Sequence, residues 1–352
     1  MALDLTPEQR QLRDSVRGYL SRRSGDDESW HGLIALGATE MPFPEPFGGA
    51  GCSVADTAVV AYELGRTLAA VPYFSSICLA GLVLSHSASD AGRTDHLPAI
   101  ASGDRTAALV TGYPFTDTAI TGGRSADRVL LTGTQDFVVD GATADTLVVV
   151  VRVGDAPQLA VIDAASPGVT TTPLPSLDSS RPLGRVEFRA ATAQLVSGPD
   201  PVAGLRRAQA CALALLAAEQ VGAAERCLEM SVDHARTREQ FGRPIGSFQS
   251  IKHRLADMLV AIELARAAVL DAVREEDRDL DDLTEAVSIA RVLASRAFTF
   301  AAEESIQVHG GIGFTWEHPL HRYFRRAKAD ELLFGTVEHH LEVVATAALS
   351  PA

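Results

Sequence analysis

Residues 234–258 read HARTREQFGRPIGSFQSIKHRLADM, the most informative stretch of the chain. It places an arginine, an aromatic ring, a glycine, a glutamine and a Leu-Ala-Asp-Met run at fixed spacing: Arg238, Phe241, Gly242, Gln249 and 255–258. An arginine guanidinium can hold a pyrophosphate through paired, charge-assisted hydrogen bonds. A glutamine amide can bond a nucleotide, and phenylalanine offers an aromatic face. The stretch is therefore suited to an anionic nucleotide, which a chain of net charge -14 can bind only at a local basic group.

A second block, residues 307–336, reads QVHGGIGFTWEHPLHRYFRRAKADELLFGT. Gly310, Gly311 and Gly313 let the backbone approach a phosphate or an adenosine closely, with free N–H groups as donors. Gln307 adds an amide that can bond the same nucleotide.

The texture of the sequence changes twice along the chain. Residues 5–23 predict a first helix, with Thr6 as N-cap and Pro7 in the first turn, and helical patterns continue to about residue 102. From about 107 to 197, β-branched runs alternate with Gly, Pro and Asp, which predicts strands. Long helical patterns follow at 202–236, 248–276 and 282–308, with a final one from about 336.

These segments resemble the acyl-CoA dehydrogenase family, whose signature R-x-x-F-G-x-x-x-x-x-x-Q-x-x-x-x-x-L-A-D-M matches residues 238–258. The block at 307–336 resembles the family's flavin-contacting Q-x-x-G-G-x-G-F segment. The resemblance covers nearly the whole chain and implies an α+β fold. It has an N-terminal helical domain (1–104), a middle β-barrel domain (105–198) and a C-terminal four-helix bundle (199–352).

The resemblance also implies the cofactor and its contacts. In the family, FAD binds mainly to one subunit, and residues of a neighbouring subunit complete its binding site across the interface. The matching positions here, together with the threonine of the Gly-Thr pair, are expected to bind FAD: Arg238, Phe241, Gln249, Gln307, Gly310, Gly311 and Thr336.

The chain departs from the family at the catalytic base. The reaction removes a proton from the α-carbon of an acyl thioester while a hydride leaves the β-carbon for the flavin, so a carboxylate is indispensable. Phe334 stands directly before Gly-Thr, where many members carry that glutamate, and Ala212 stands at the alternative position. No catalytic residue is therefore assigned, although Glu219 and Glu331 lie near enough in sequence to be considered as displaced bases.

The middle segment departs as well. Residues 110–120, VTGYPFTDTAI, keep little of the family's flavin-cradling T-E-x-x-A-G-S-D loop. Phe137, Val138 and Val139 replace a Trp-Ile-Thr whose threonine bonds the flavin, and Val139 has no hydroxyl. The contacts made in cis are lost while those made across the interface are kept.

The loss of the contacts made in cis, with the contacts across the interface kept, predicts the non-catalytic subunit of a heteromeric enzyme. It resembles the smaller subunits of the α2β2 acyl-CoA dehydrogenases that actinobacteria use on steroid side-chain thioesters. A homologous catalytic subunit would be the partner, an acyl-CoA the substrate and electron-transfer flavoprotein the acceptor. Two alternatives stay open: a flavin monooxygenase or N-oxygenase of the same fold, and a homomeric pseudoenzyme.

Other features exclude several classes of function. The acidic net charge disfavours nucleic acid and anionic membranes as partners. The cysteines follow no metal-ligand or redox spacing, and no apolar run reaches about 18 residues, so a cytoplasmic location is expected.

The histidines at 318, 321, 339 and 340 complete no known metal-ligand spacing and are expected to be solvated on the surface. For the basic cluster at 322, 325 and 326, an exposed helix face and an interface or ligand role are both open.

Overall fold

A computed structural model describes residues 5–21, 26–125, 127–274 and 278–349. The chain divides into two compact units. We call the first the bundle unit, made of Met1–Ser21, Ala58–Ala69 and Ala214–Ala352. The second, the barrel unit, is made of Arg22–Thr57 and Ala70–Leu213.

Helices occupy the chain up to residue 101, as the sequence predicts. They are α1 (Pro7–Leu20), α2 (Asp26–Ala35), α3 (Val54–Thr67), α4 (Leu82–Ser87) and α5 (Asp90–Ala101), with a 3-10 turn at Glu45–Phe47 and a π-helical segment at Phe74–Gly81. The predicted cap of α1 is confirmed, because the Thr6 side chain accepts from the Gln9 N–H while the Gln9 side chain accepts from the Thr6 N–H. This reciprocal box satisfies backbone donors that would otherwise lack partners at the helix start.

The predicted β segment forms a closed barrel. Its strands are β1 (Ala107–Val110), β2 (Thr121–Ser125), β3 (Arg128–Val139), β4 (Thr146–Val153), β5 (Ala156–Asp163), β6 (Val169–Leu174) and β7 (Leu183–Leu195). The pairings run β4–β2–β3–β7–β5, and β5 returns to β4, while β1 and β6 add to β4 and β7. Alternate side chains of these strands point inward and form one apolar core that includes Val129, Leu131 and Val149.

The bundle unit contains the long helices. They are α6 (Pro201–Thr237), α7 (Gln249–Ala272), α8 (Leu280–His309), α9 (Leu320–Asp330) and α10 (Val337–Leu349), with short strands β8 (Glu239–Gln240) and β9 (Arg243–Pro244) between α6 and α7. The predicted helices agree with α6, α7, α8 and α10, although part of the pattern at 248–276 lies outside the described residues. Helix α9 was not predicted as a separate helical pattern, because many of its residues are charged and its apolar stripe is narrow. The predicted domain limits, after 104 and after 198, fall in connections between elements and stay a prediction.

Two glycines allow α3 and α6 to touch backbone to backbone inside the bundle unit. A Cβ on Gly65 would lie 1.9 Å from the Glu219 carbonyl oxygen, and one on Gly222 would lie 2.0 Å from that of Tyr62. Arg66 flanks this contact and binds the carboxylates of Glu225 and Glu229 on α6. The close approach therefore fixes the register of α6, the helix that leads to Arg238.

Candidate functional site

The hairpin of β8 and β9 presents the predicted arginine and phenylalanine to solvent. Arg238 follows α6 directly; it is exposed, and its side chain makes no ion pair within the part of the chain that the structure describes. Phe241 and Gly242 form the two-residue tip, with φ angles of 56° and 74°. A tight hairpin turn requires positive φ at both positions, which is uncommon for a bulky side chain. Phe241 is nevertheless 92% exposed, so this conformation presents an aromatic ring that its own chain does not cover.

The glycine segment lies at the C-terminal end of α8. Gln307 is in the last turn, and Gly310, at φ 63°, ends the helix and begins a 3-10 turn over Gly310–Phe314. No atom lies within 4 Å of a Cβ built on Gly310 or Gly311, so open space surrounds both backbones. Gln249 is the first residue of α7, and it is exposed like Gln307.

Three imidazole rings in contact with one another bring the hairpin and the glycine segment together. The ring centroids of His234 and His309 lie 4.3 Å apart, and those of His309 and His318 lie 4.6 Å apart. The N–H of Arg238 donates to the His234 carbonyl, and Gly310 follows His309, so two predicted flavin-contacting segments meet at this stack. We call the three rings the imidazole stack.

Burial keeps the imidazole stack neutral. It lowers the pKa of His309 to about 4, with smaller effects from the neighbouring rings of His234 and His318. The pKa of His234 is lowered by burial and by the charge of Arg238, and that of His318 by burial and by His321. His309 Nδ1 lies 2.8 Å from the Ser305 carbonyl oxygen, an arrangement that places a proton on Nδ1.

A second, separate region holds Phe334. This residue is half-buried and has a φ of 56°, followed by Gly335 at 92°. Buried Arg291 donates to the carbonyl oxygens of Asp330 and Leu333 at 3.2 and 3.1 Å, and His340 Nε2 lies 3.1 Å from the carbonyl oxygen of Phe334. The loop that would carry a glutamate is therefore held by buried hydrogen bonds. Its side chain at 334 has no atom that can accept a proton.

The two regions lie far apart on the same chain. Arg291 contacts the Phe334 loop, whereas His309 ends the same helix, α8. At about 1.5 Å per residue, these two positions are separated by about 27 Å. Thr336 belongs with the Phe334 loop, where its hydroxyl accepts from the His339 N–H at the start of α10. The Arg238 segment and the glycine segment thus meet at the end of α8, and Thr336 lies outside this group.

Ala212 and Val139, both in the barrel unit, offer no base either. Ala212 is buried in α6. On β3, the pairing with β7 is irregular between Gln135 and Val138; Phe137 there has a φ of 61° and is exposed, while Val139 is buried. The side chains of Ala212 and Val139 are both hydrocarbon. Ala212 therefore cannot accept a proton, and Val139 has no hydroxyl.

Glu219 and Glu331, the two residues considered as displaced bases, both have side-chain partners in the bundle unit. Glu219 is buried and accepts a hydrogen bond from the Arg326 guanidinium, also buried. Glu331 accepts from the Thr299 hydroxyl at 2.7 Å and lies 3.4 Å from Lys328 Nζ. Each carboxylate therefore binds a side chain of a neighbouring residue or helix, which indicates a structural role.

Some of the histidines and part of the basic cluster differ from the sequence-based expectation, whereas His339 and Arg322 are exposed. His340 is buried, and His318 is packed in the imidazole stack, so neither is a solvated surface residue. Arg326 is buried with Glu219, and the Arg325 guanidinium lies 5.6 Å from the centre of the Trp316 ring. Tertiary packing is the reason: His340 and His318 pack against residues of α8, and Arg326 lies on the buried side of α9. The described residues contain no group of three or more His, Cys, Asp or Glu placed to hold a metal.

Sequence reasoning missed the residues that hold the Phe334 loop. Arg291 lies among Ala290, Val292 and Ala294 on a buried face of α8. A single arginine on an otherwise apolar helical stripe is unusual, because a buried guanidinium must find acceptors for its donors. That irregularity in the pattern was the available signal.

Known proteins share this architecture. The family described as Acyl-CoA dehydrogenase, N-terminal domain, matches residues 6–104, and Acyl-CoA dehydrogenase, C-terminal domain, matches residues 212–349. The chain is 37% identical over 337 residues to acyl-CoA dehydrogenase IpdE2 of Mycobacterium tuberculosis, covering 91% of each protein. No helix among the described residues has the length and apolar character needed to cross a membrane.

Solved structures agree with the sequence relatives. The ChsE4-ChsE5 complex of Mycobacterium tuberculosis superposes with a TM-score of 0.90 at 29% identity, covering 100% of both chains. A structure described as a variant of the Tcur3481-Tcur3483 steroid ACAD superposes with a TM-score of 0.87 at 27% identity, covering 97% of this chain and 99% of the other. The chain therefore belongs to the acyl-CoA dehydrogenase family, whose members are FAD-dependent oxidoreductases.

Proposed function

We propose that this chain is the non-catalytic subunit of a heteromeric acyl-CoA dehydrogenase. It binds a homologous catalytic subunit, in an α2β2 assembly, and completes the FAD site of that partner. The assembly oxidises an acyl-CoA thioester to the 2-enoyl-CoA, and electron-transfer flavoprotein accepts the electrons. The observation that carries the proposal is the contrast between Phe334, which cannot act as a base, and the open, exposed surface around Arg238 and Gly310.

The chemistry of that surface fits FAD. Arg238 supplies a cation for the pyrophosphate, the backbones of Gly310 and Gly311 have space beside them, and Gln307 and Gln249 offer amide donors. When bound, the flavin would accept the hydride that leaves the β-carbon of the substrate. This chain would hold and orient the cofactor, and the partner would supply the carboxylate that removes the α-proton.

Exposed aromatic residues flank the same surface and support a partner there. Phe314 is 78% exposed and Trp316 is 76% exposed, in addition to the hairpin tip at Phe241. The Trp316 ring packs edge-on against His321 and beneath Arg325, so it is held although it is exposed. Large apolar side chains that the chain itself leaves uncovered are typical of an interface. Two of the structural relatives are described by paired protein names, which agrees with a heteromeric assembly.

Coexpression tests the proposal. The chain is produced alone and together with a homologue that carries the glutamate, and each preparation is assayed for bound FAD and for flavin bleaching by acyl-CoA thioesters. We expect stoichiometric FAD and bleaching only in the complex. Retention of FAD and oxidation of acyl-CoA by the isolated chain would refute the heteromeric assignment, and oxygen consumption with reduced flavin would favour the monooxygenase alternative.

Substitutions on the exposed surface around Arg238 test the role of that residue in FAD binding. Arg238→Ala should weaken FAD binding by the complex about tenfold or more, because a charge-assisted pair to the pyrophosphate is lost. Arg236→Ala is the matched control, since Arg236 is another exposed arginine in the last turn of α6. The control should bind FAD as the unmodified complex does. Equal behaviour of the two variants would contradict the assigned role of Arg238.

A further inference from the structure

The imidazole stack joins elements that are distant in sequence. His234 belongs to the last turn of α6, His309 to the last turn of α8, and His318 to the segment that precedes α9. The rings of His234 and His309 are nearly parallel, at 23°, and His318 is tilted by 53° against His309. Aromatic contacts at such separations stabilise beyond the area that they bury.

Two of the rings also form hydrogen bonds with the backbone near their own position. His309 Nδ1 donates to the Ser305 carbonyl, and the Ser305 hydroxyl donates to the carbonyl of Cys227 on α6. The Leu320 N–H lies 3.4 Å from His318 Nδ1, so His318 accepts at the start of α9. The bonded nitrogen of His309 carries a proton and that of His318 does not, which is consistent with neutral rings.

We propose that His234, His309 and His318 are positioning residues that hold the Arg238 segment and the Gly310–Gly311 segment as one flavin-contacting unit. This inference rests on the proposed function, since it concerns how the same surface is kept in place. The hairpin could otherwise move independently of the end of α8, because its exposed tip has few contacts of its own beyond those of Phe241 and Arg243 with Phe248. A stack that bridges both elements restricts that motion.

The charges around the imidazole stack make the unit sensitive to acid. His234 faces His309, His318 and the Arg238 guanidinium, and His318 faces His309 and His321. A proton added to any ring therefore meets a cation or another ring that competes for protons. Protonation of His318 would also remove the acceptor for the Leu320 N–H. We infer that acidification separates the rings and loosens both segments together.

Two substitutions of His309 separate stacking from protonation. His309→Phe keeps an aromatic ring between its neighbours but cannot be protonated, whereas His309→Ala removes the ring. His253→Ala is the matched control, because His253 is exposed on α7, outside the imidazole stack. His318→Ala provides a second disruption at a half-buried position, and protection of the barrel strand β4 serves as the test that each variant is folded.

The first measurement is native-state amide exchange on the isolated chain. At pH 7, His309→Ala and His318→Ala should speed exchange about threefold to tenfold in 310–316 and also in 238–242, in keeping with the loss of one stacking contact. His309→Phe and His253→Ala should stay within about twofold of the unmodified chain. Faster exchange in 310–316 with no change in 238–242 would overturn the proposal, because the segments would then be independent.

The second measurement is FAD release from the coexpressed complex as the pH is lowered from 7 to 4.5. At pH 7, His309→Ala should raise the dissociation constant about threefold to tenfold, while His309→Phe should not. On acidification the unmodified complex should lose FAD at a higher pH than His309→Phe. Identical pH profiles would refute the inference that protonation of the imidazole stack loosens the two segments, and an unchanged dissociation constant for His309→Ala at pH 7 would refute the positioning role. If no complex binds FAD, the proposed function fails, and the exchange experiment still decides whether the stack couples the two segments.

Discussion

His340 Nε2 lies 3.1 Å from the carbonyl oxygen of Phe334, and its Nδ1 lies 3.4 Å from the Ser288 hydroxyl. A neutral ring with a proton on Nε2 satisfies both contacts, as donor to the carbonyl and acceptor from the hydroxyl. Together with Arg291, this histidine holds Phe334 at a φ of 56°, where a bulky side chain is disfavoured. Buried hydrogen bonds thus hold the backbone of this loop around a residue that cannot accept a proton.

Arg291 should contribute strongly to stability. Its guanidinium is buried and donates to Gln220 Oε1 at 2.7 Å as well as to the Asp330 and Leu333 carbonyls. Arg291→Met would leave these acceptors without that donor, so we expect the free energy of unfolding to fall by about 2–4 kcal/mol.

Urea denaturation measures this loss, with Arg296→Met as the matched control. Arg296 is exposed on the same helix, and its replacement should change stability by less than about 0.5 kcal/mol. Amide exchange in 331–336 should rise for Arg291→Met only. A loss below about 1 kcal/mol would contradict the clamping role of Arg291.

Acid should destabilise the fold through His340. Burial, followed by the charge of Arg291, lowers the pKa of His340 to about 4, whereas an unfolded histidine titrates near about 6.5. Above pH 6.5 the ring is neutral in both states and its contribution is complete. As the pH falls from 6.5 towards 4, the unfolded chain takes up a proton that the folded chain does not, so stability is lost, by about 2 kcal/mol at pH 5.

His340→Gln isolates this effect, because glutamine keeps an amide donor and does not titrate. The free energy of unfolding, measured in urea at pH 7.5, 6 and 5, should fall less steeply for the variant than for the unmodified chain. The remaining slope should include His309, whose pKa is lowered in the same direction. Equal slopes for both proteins would show that His340 is not neutral in the folded chain.

Local rules in the sequence were enough for most of the elements, although not for α9, and they failed where side chains meet across elements. The cap at Thr6, the alternating strands of the barrel and the long apolar helices each follow from neighbouring residues. The pairing of Glu219 with Arg326 joins positions on α6 and α9, and no local pattern contains it. The imidazole stack arises in the same way, since His234 and His309 lie at the ends of two different helices. Partner choice for buried polar groups depends on packing, which a single sequence does not display.

Glu219 should serve stability and not proton transfer. Its carboxylate is buried against the Arg326 guanidinium, so Glu219→Gln would remove a buried negative charge that this guanidinium binds. We expect the free energy of unfolding to fall by about 3 kcal/mol. In the coexpressed complex at a temperature where it stays folded, the rate of acyl-CoA oxidation should remain within about twofold. A drop of 100-fold or more in that rate, with FAD still bound, would identify Glu219 as a base.

Restoring a glutamate at Phe334 should not create activity in the isolated chain. The variant Phe334→Glu would place a carboxylate on a loop that Arg291 and His340 already hold, so the position of the base would be recovered. A base contributes only about 10²–10⁴-fold, and only when a cofactor and a substrate are held within reach. The buried Val139 offers no hydroxyl to a flavin, and residues 110–120 lack the flavin-cradling loop of the family, so the isolated chain should still not retain FAD.

The assay is flavin bleaching by a series of acyl-CoA thioesters, with added FAD, for the unmodified chain, Phe334→Glu and the double variant Phe334→Glu/Val139→Thr. We expect no bleaching in any of the three. Activity confined to the double variant would mean that the hydroxyl at 139 was the deciding loss. Activity of the single variant would refute the division of labour proposed for the two subunits, because one side chain would then have been all that separated this chain from a complete enzyme.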